Sequence, residues 1–231
     1  HRLDRETSGV ILFAKKHIIA QKMAFLFQKK QIKKLYSAIL SSHLPKNSNK
    51  SLSEAYISLP IGRDINSKIR IKQSVNLKGK SSHTYFKEIE KIGKFSIAEV
   101  RPFTGRTHQI RVHAAYMGCS ILGDKLYGLP NDGFINWLNE GDDFLRTQNF
   151  PLHRQLLHAL EIKFPHPITN KETIIRAEEN TFLKENSILC SPDHLSKEYK
   201  EGGSNRLRSY MFKLPDSIVE SEQIGRASCR E

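Results

Sequence analysis

Gly9-Val-Ile-Leu-Phe-Ala-Lys15 is a short, nearly unbroken apolar run, and such a run predicts a buried strand. The spacing changes at once to a helical one. Over residues 18–30, Ala20, Met23, Ala24 and Phe27 fall on one stripe, with Lys22, Lys29 and Lys30 off it, which predicts an amphipathic helix. Lys34-Leu-Tyr-Ser-Ala-Ile-Leu40 alternates as a half-buried strand does, and Glu54–Leu59 predicts another short strand before Pro60. His83–Glu90 and Lys94–Arg101 predict a strand pair joined through Lys91-Ile-Gly93, where Gly93 suits a tight turn. Thr107 can cap a helix over 108–117 that Gly118 ends, with Ile110, Ala114 and Met117 as its apolar stripe. Gln155–Phe164 predicts a last strand, closed by Pro165-His-Pro167.

Between these elements lie polar stretches. Pro45–Ser53 reads as a loop, and residues 65–81 as a basic hairpin or exposed loop. Strands outnumber helices and short turns join many of them, so the expected class is α+β, a largely antiparallel mixed sheet flanked by helices. Residues 1–170 are expected to form one domain. Residues 171–223 grow more polar, contain the flexible linker Glu201-Gly-Gly-Ser-Asn205, and are expected to be a weakly ordered extension. The last eight residues, Ile224–Glu231, resemble translated sequencing-adapter text and are expected to be non-native.

Charge narrows the class of partner. The 231 residues carry a formal net charge of +13, which favours a polyanion such as nucleic acid. Residues 1–36 concentrate it: nine Lys and Arg stand against Asp4 and Glu6 alone. No run of about 18 apolar residues is present, so no membrane span is expected. Cys119, Cys190 and Cys229 lack metal or disulfide spacing, as expected of a reducing compartment, and the expected location is the cytoplasm. His108 and His113 are five apart, as are His153 and His158, the wrong interval for two ligands on one helical face. Metal binding is therefore not expected.

Candidate chemistry sits in two blocks. The chain opens on His1-Arg-Leu-Asp-Arg-Glu-Thr-Ser-Gly9, and Arg101-Pro-Phe-Thr-Gly-Arg-Thr-His-Gln-Ile-Arg-Val-His113 follows about a hundred residues later. Read without context, Asp4 is a carboxylate that caps a turn or meets an arginine at a sheet edge. The whole string His-Arg-Leu-Asp-x-x-Thr-Ser-Gly is too specific for chance, and with the second block it resembles the RluA-type pseudouridine synthases. Ile121–Gly128 and Leu157–Pro167 resemble later segments of that family, without adding chemistry of their own, so the likeness spans roughly residues 1–170. Ser81-Ser82 depart from the family's usual residues near Thr84, and Asn131–Pro151 is longer than in a minimal member. Family members carry substantial sequence ahead of the first block, so the chain is expected to lack its N-terminal part.

The resemblance implies the pseudouridine synthase catalytic fold and isomerisation of uridine to pseudouridine in rRNA or tRNA. It requires no metal or redox cofactor, because the product holds the same atoms rearranged. It makes Asp4 the nucleophile; whether the carboxylate adds to the sugar, adds to the base or promotes elimination stays open. Arg111 is implied as the charge partner of Asp4. Burial alone raises a carboxyl pKa, and a guanidinium lowers it by roughly 1–3 units. Tyr36 is implied as the platform for the target base, and Arg2 as the wedge that fills the space of a flipped base. Arg5, Arg106, His108, Lys33 and Lys34 are expected RNA contacts, with the lysines of 15–34 and of the 65–80 loop on phosphates. A monomer is expected. The rival readings are an RNA-binding fragment without catalysis and a metal-dependent nuclease.

Overall fold

A computed structural model describes residues 1–45, 53–130, 132–148, 150 and 154–177. The loop expected over 45–53 falls mostly outside these residues. So do the linker at 201–205, the tail at 224–231 and His153.

The elements in chain order are β1 (Ser8–Gly9), α1 (His17–Gln28), β2 (Lys33–Leu40), β3 (Glu54–Ser58), β4 (Ile61–Arg63), β5 (Gln73–Val75), β6 (His83–Ile92), β7 (Phe95–Pro102), α2 (Gln109–Tyr116), α3 (Gly133–Glu140), α4 (Asp142–Thr147), β8 (Leu157–Pro165) and β9 (Glu172–Arg176). Seven strands form one sheet in the order β1-β8-β2-β7-β6-β3, with β9 also on β8, while β4 and β5 pair separately. Only the β1–β8 contact is parallel; the others are antiparallel. The α+β class and its mostly antiparallel sheet are as expected.

The main core lies where α2 crosses the sheet. Ala38 and Leu40 from β2, Phe86 from β6, and Ala98 and Val100 from β7 meet Ile110 and Ala114, with Met117 packed at the margin. The stripe read for α2 is thus the buried one, and Gly118, at φ +76, ends the helix. Its start differs. His108, not Thr107, is the N-cap residue, in left-handed conformation with no side-chain cap. The Gln109 amide organises the turn instead. Its Oε1 accepts from the Thr104 hydroxyl and the Arg106 N–H, and its Nε2 donates to the His83 carbonyl and Thr84 Oγ1.

Two expectations about the chain ends need correction. The strand expected over Gly9–Lys15 pairs only at Ser8–Gly9 and through one further bond, Val10 N–H to the Ala159 carbonyl. From there the edge of β8 is occupied by β9: Ala177 N–H donates to Leu160, and Arg176 lies opposite Glu161. Residues 11–15 therefore have no ladder position, and Ile11 and Phe13 are exposed. For the same reason residues 172–176 are not part of a weakly ordered extension; they are a strand of the sheet. The approach of β1 to β8 also requires glycine at 9, because a Cβ there would collide with the Ala159 carbonyl.

Helices α3 and α4 arise in the long 131–151 segment, around a small cluster of Leu129, Phe144 and Leu145. Among the described residues, no helix is long and apolar enough to cross a membrane.

Candidate active site

Asp4 sits on a turn that the residues after it hold in place. Thr7 N–H donates to the Asp4 carbonyl at 2.9 Å. Glu6 accepts from Lys125 Nζ at 2.8 Å and from Gln155 N–H at 3.2 Å. Thr7 Oγ1 accepts from Gln155 Nε2 at 2.8 Å, and Ser8 Oγ meets His158 Nδ1 at 2.9 Å. The Glu-Thr-Ser run of the first block is thus an anchor that fixes one carboxylate at the end of β1.

Arg111 reaches that carboxylate from α2. Its Nη1 donates to Asp4 Oδ2 at 3.0 Å, across 107 residues of sequence. The tighter partner is Asp124: Nε donates to Oδ2 at 2.6 Å and Nη2 to Oδ1 at 2.8 Å. This is the forked geometry that suits guanidinium and carboxylate best. The Asp124 side chain is fully buried, that of Arg111 is 10% exposed and that of Asp4 21%. Asp124 Oδ1 also accepts the N–H groups of Leu126 and Tyr127. Its segment is pinned to β2 by a Leu40–Ile121 bridge and by Leu122 N–H to the Ile39 carbonyl. Among the described residues, Asp4 Oδ1 takes no hydrogen bond. One oxygen of Asp4 is held and the other stays open.

Tyr127 extends the cluster. The Arg111 guanidinium lies 5.0 Å from its ring centroid. Its hydroxyl accepts from Gln73 N–H at 3.0 Å and sits 2.9 Å from His108 Nδ1. Burial, then the nearby Arg111, holds the His108 pKa below the usual histidine range, so the ring is neutral at pH 7. His113 braces the framework, since its Nε2 donates to the Leu59 carbonyl and its Nδ1 meets Thr84 Oγ1.

Asp4, Arg111 and His108 face a cleft of about 830 Å³, while Asp124, Tyr127 and His113 stand behind its wall. Asp4, Arg111, Tyr36, His108, Arg2, Lys34 and Arg106 all line it. Tyr36 lies in β2, 8% exposed, and burial followed by the charge of Asp4 pushes its pKa up to about 12. The phenol is therefore protonated at neutral pH. Burial also lowers the pKa of Lys34, whose Nζ sits where a side chain at position 105 would reach it. The apolar stripe of α1 lines the same cleft instead of entering the main core, and no residue of α1 is fully buried. Arg5 and Lys33 are exposed and outside the lining. Lys33 alternates with Lys34 along β2, so only one of the two lysines faces the cleft. Asp124 and Tyr127, read from sequence as framework only, belong to the charged centre.

A family model described as RNA pseudouridylate synthase matches residues 1–116. The chain belongs to that family. A ribosomal large subunit pseudouridine synthase C of Vibrio cholerae is 34% identical over 187 residues, 80% of this chain and 52% of the relative. A ribosomal large subunit pseudouridine synthase D of Buchnera aphidicola is 36% identical over 171 residues, 74% of this chain and 50% of the relative. The chain spans about half the length of the curated relatives it matches. Human RNA pseudouridylate synthase domain containing 1 superposes with a TM-score of 0.63 over 89% of this chain and 81% of its own, at 24% identity, a likeness of fold.

Proposed function

We propose that this chain isomerises uridine to pseudouridine in ribosomal RNA, with Asp4 as the nucleophile. The observation that carries this reading is the Asp4 carboxylate in the cleft, one oxygen tied to a buried arginine and the other open. The names of the Vibrio and Buchnera relatives support the substrate class.

The reaction balances without oxidant or reductant. The bond between ribose C1′ and uracil N1 breaks, and its electron pair leaves on N1. The base turns and C5 bonds to C1′. The C5 proton passes to solvent, and N1 ends with a proton. Positive charge develops at C1′ as the first bond breaks, as in glycoside chemistry. Asp4, Arg111 and Asp124 together carry a net charge of −1 when both carboxylates are ionised, which favours that centre. Asp124 pre-orients Arg111, so the guanidinium needs no rearrangement during the step. Tyr36 lines the cleft and can offer a ring face to the base, and Arg2, exposed in the same lining, suits the wedge role.

Incubation with ribosomal RNA, followed by digestion to nucleosides and chromatography, tests the proposal. Pseudouridine should appear at the expense of uridine while chain length is kept. RNA that is bound but unchanged favours the non-catalytic reading. Strand cleavage stopped by a chelator favours a nuclease.

A further inference from the structure

On the face of the sheet opposite the main core, at the β3 edge, three rings gather outside the cleft. Tyr56 stacks on His83, with centroids 6.3 Å apart and planes inclined by 16°, and meets Phe103 at 6.0 Å. Tyr56 is 60% exposed and Phe103 55%. Tyr56, which touches both of the other rings, and Phe103 thus keep surface free for a further stacking partner. The His83 ring is fixed from both sides, by Ser58 Oγ on Nδ1 and Ser81 Oγ on Nε2, each at 2.9 Å. Ser81, a departure from the family's usual residue near Thr84, thus helps to set the plane of this ring.

The patch continues into the cleft. Phe103 N–H donates to the His83 carbonyl, and the next residues, Thr104, Gly105 and Arg106, line the cleft wall. Arg106 joins the two surfaces directly: its Nε donates to the Ser81 carbonyl at 3.1 Å, and its side chain is exposed. Exposed aromatic faces beside an arginine, on a chain of net charge +13, are what unpaired nucleotides bind: rings stack on bases and the cation follows the backbone.

From this we infer that Tyr56, His83 and Phe103 form a second nucleotide-binding site, which stacks an unpaired base of the RNA strand as it leaves the cleft over Arg106. The strand's path rests on the proposed RNA function; the stacking itself does not need catalysis. The probe is a fluorescent, unstructured RNA 15-mer of A and C only, which holds no uridine to isomerise. Tyr56→Ala and Phe103→Ala should each weaken its binding about fivefold or more, with the salt slope unchanged. Arg106→Gln should make the slope shallower by about 0.7. Tyr56→Phe should keep the affinity, and equal melting temperatures exclude misfolding. If the Tyr56→Ala/Phe103→Ala double variant binds within twofold of the parent, or the parent does not bind the probe, the site is not there. A protein partner or a purely structural role would give that result. Pseudouridine formation by the same preparations separates the two ideas: activity without a ring effect removes only this site, and a ring effect without activity removes only the catalytic reading.

Discussion

Arg111 turns two of its three guanidinium nitrogens to Asp124, at 2.6 and 2.8 Å, and the third to Asp4 at 3.0 Å. Asp124 is thus a positioning residue: it holds the guanidinium that in turn holds Asp4, the proposed nucleophile. Burial lowers the Arg111 pKa while hydrogen bonding and charge from Asp124, then the charge of Asp4, raise it; the balance lies well above the ordinary arginine value, so its charge is permanent.

Unequal stability costs follow for the three partners. Arg111→Ala leaves a fully buried carboxylate without its cation, and Asp124→Ala leaves a buried guanidinium without its main partner. Each should cost about 3–5 kcal/mol in urea unfolding. Asp4→Ala leaves the Arg111–Asp124 fork whole and should cost about 1 kcal/mol or less. Equal losses for all three would show that Asp4 is part of the scaffold.

Acid should weaken the fold through His158. Burial, then the Arg154 charge, drops its pKa to about 4 from a usual 6.5. The unfolded chain therefore binds a proton between pH 6.5 and 4 that the folded chain refuses. The stabilisation is complete above about pH 6.5 and is lost as pH falls through about 4, by about 3 kcal/mol. Unfolding free energy measured from about pH 7 to about pH 4 should slope accordingly, and His158→Gln should flatten the slope.

Arg2 lines the cleft while remaining exposed. If it fills the gap left by an extruded base, Arg2→Ala should reduce turnover on a folded RNA stem more than on a loose oligonucleotide of the same sequence. Equal losses on both substrates would reject the wedge role.

Much of the centre was legible in the sequence because two dense motifs carry it. Asp4 and Arg111 are far apart in the chain, and only the resemblance brings them together beforehand. Asp124 and Tyr127 were missed as chemistry, since a Gly-Asp turn reads equally well as framework; a carboxylate in a Gly-Asp-x-x-Tyr-Gly run was the available signal. Lys33 and Lys34 could not be told apart by composition, yet strand alternation sends only Lys34 into the cleft. The shortened β1 was illegible for a different reason. Its apolar run fits a strand, but a strand needs a free edge, and β9 takes that edge of β8. Helices α3 and α4 lie in the 131–151 segment and bury only Gly133, Phe144 and Leu145 between them, too few apolar positions to set a period.

The central claim is that exchange of the C1′–N1 bond for a C1′–C5 bond depends on the Asp4 carboxylate. Tritium release from RNA labelled at uridine C5 follows formation of the C5–C1′ bond and so reports the completed exchange, and RNA affinity measured alongside separates chemistry from binding. Asp4→Asn should bind RNA within a few-fold of the parent and release no tritium above background. Release by Asp4→Asn at a rate near the parent's would contradict that claim.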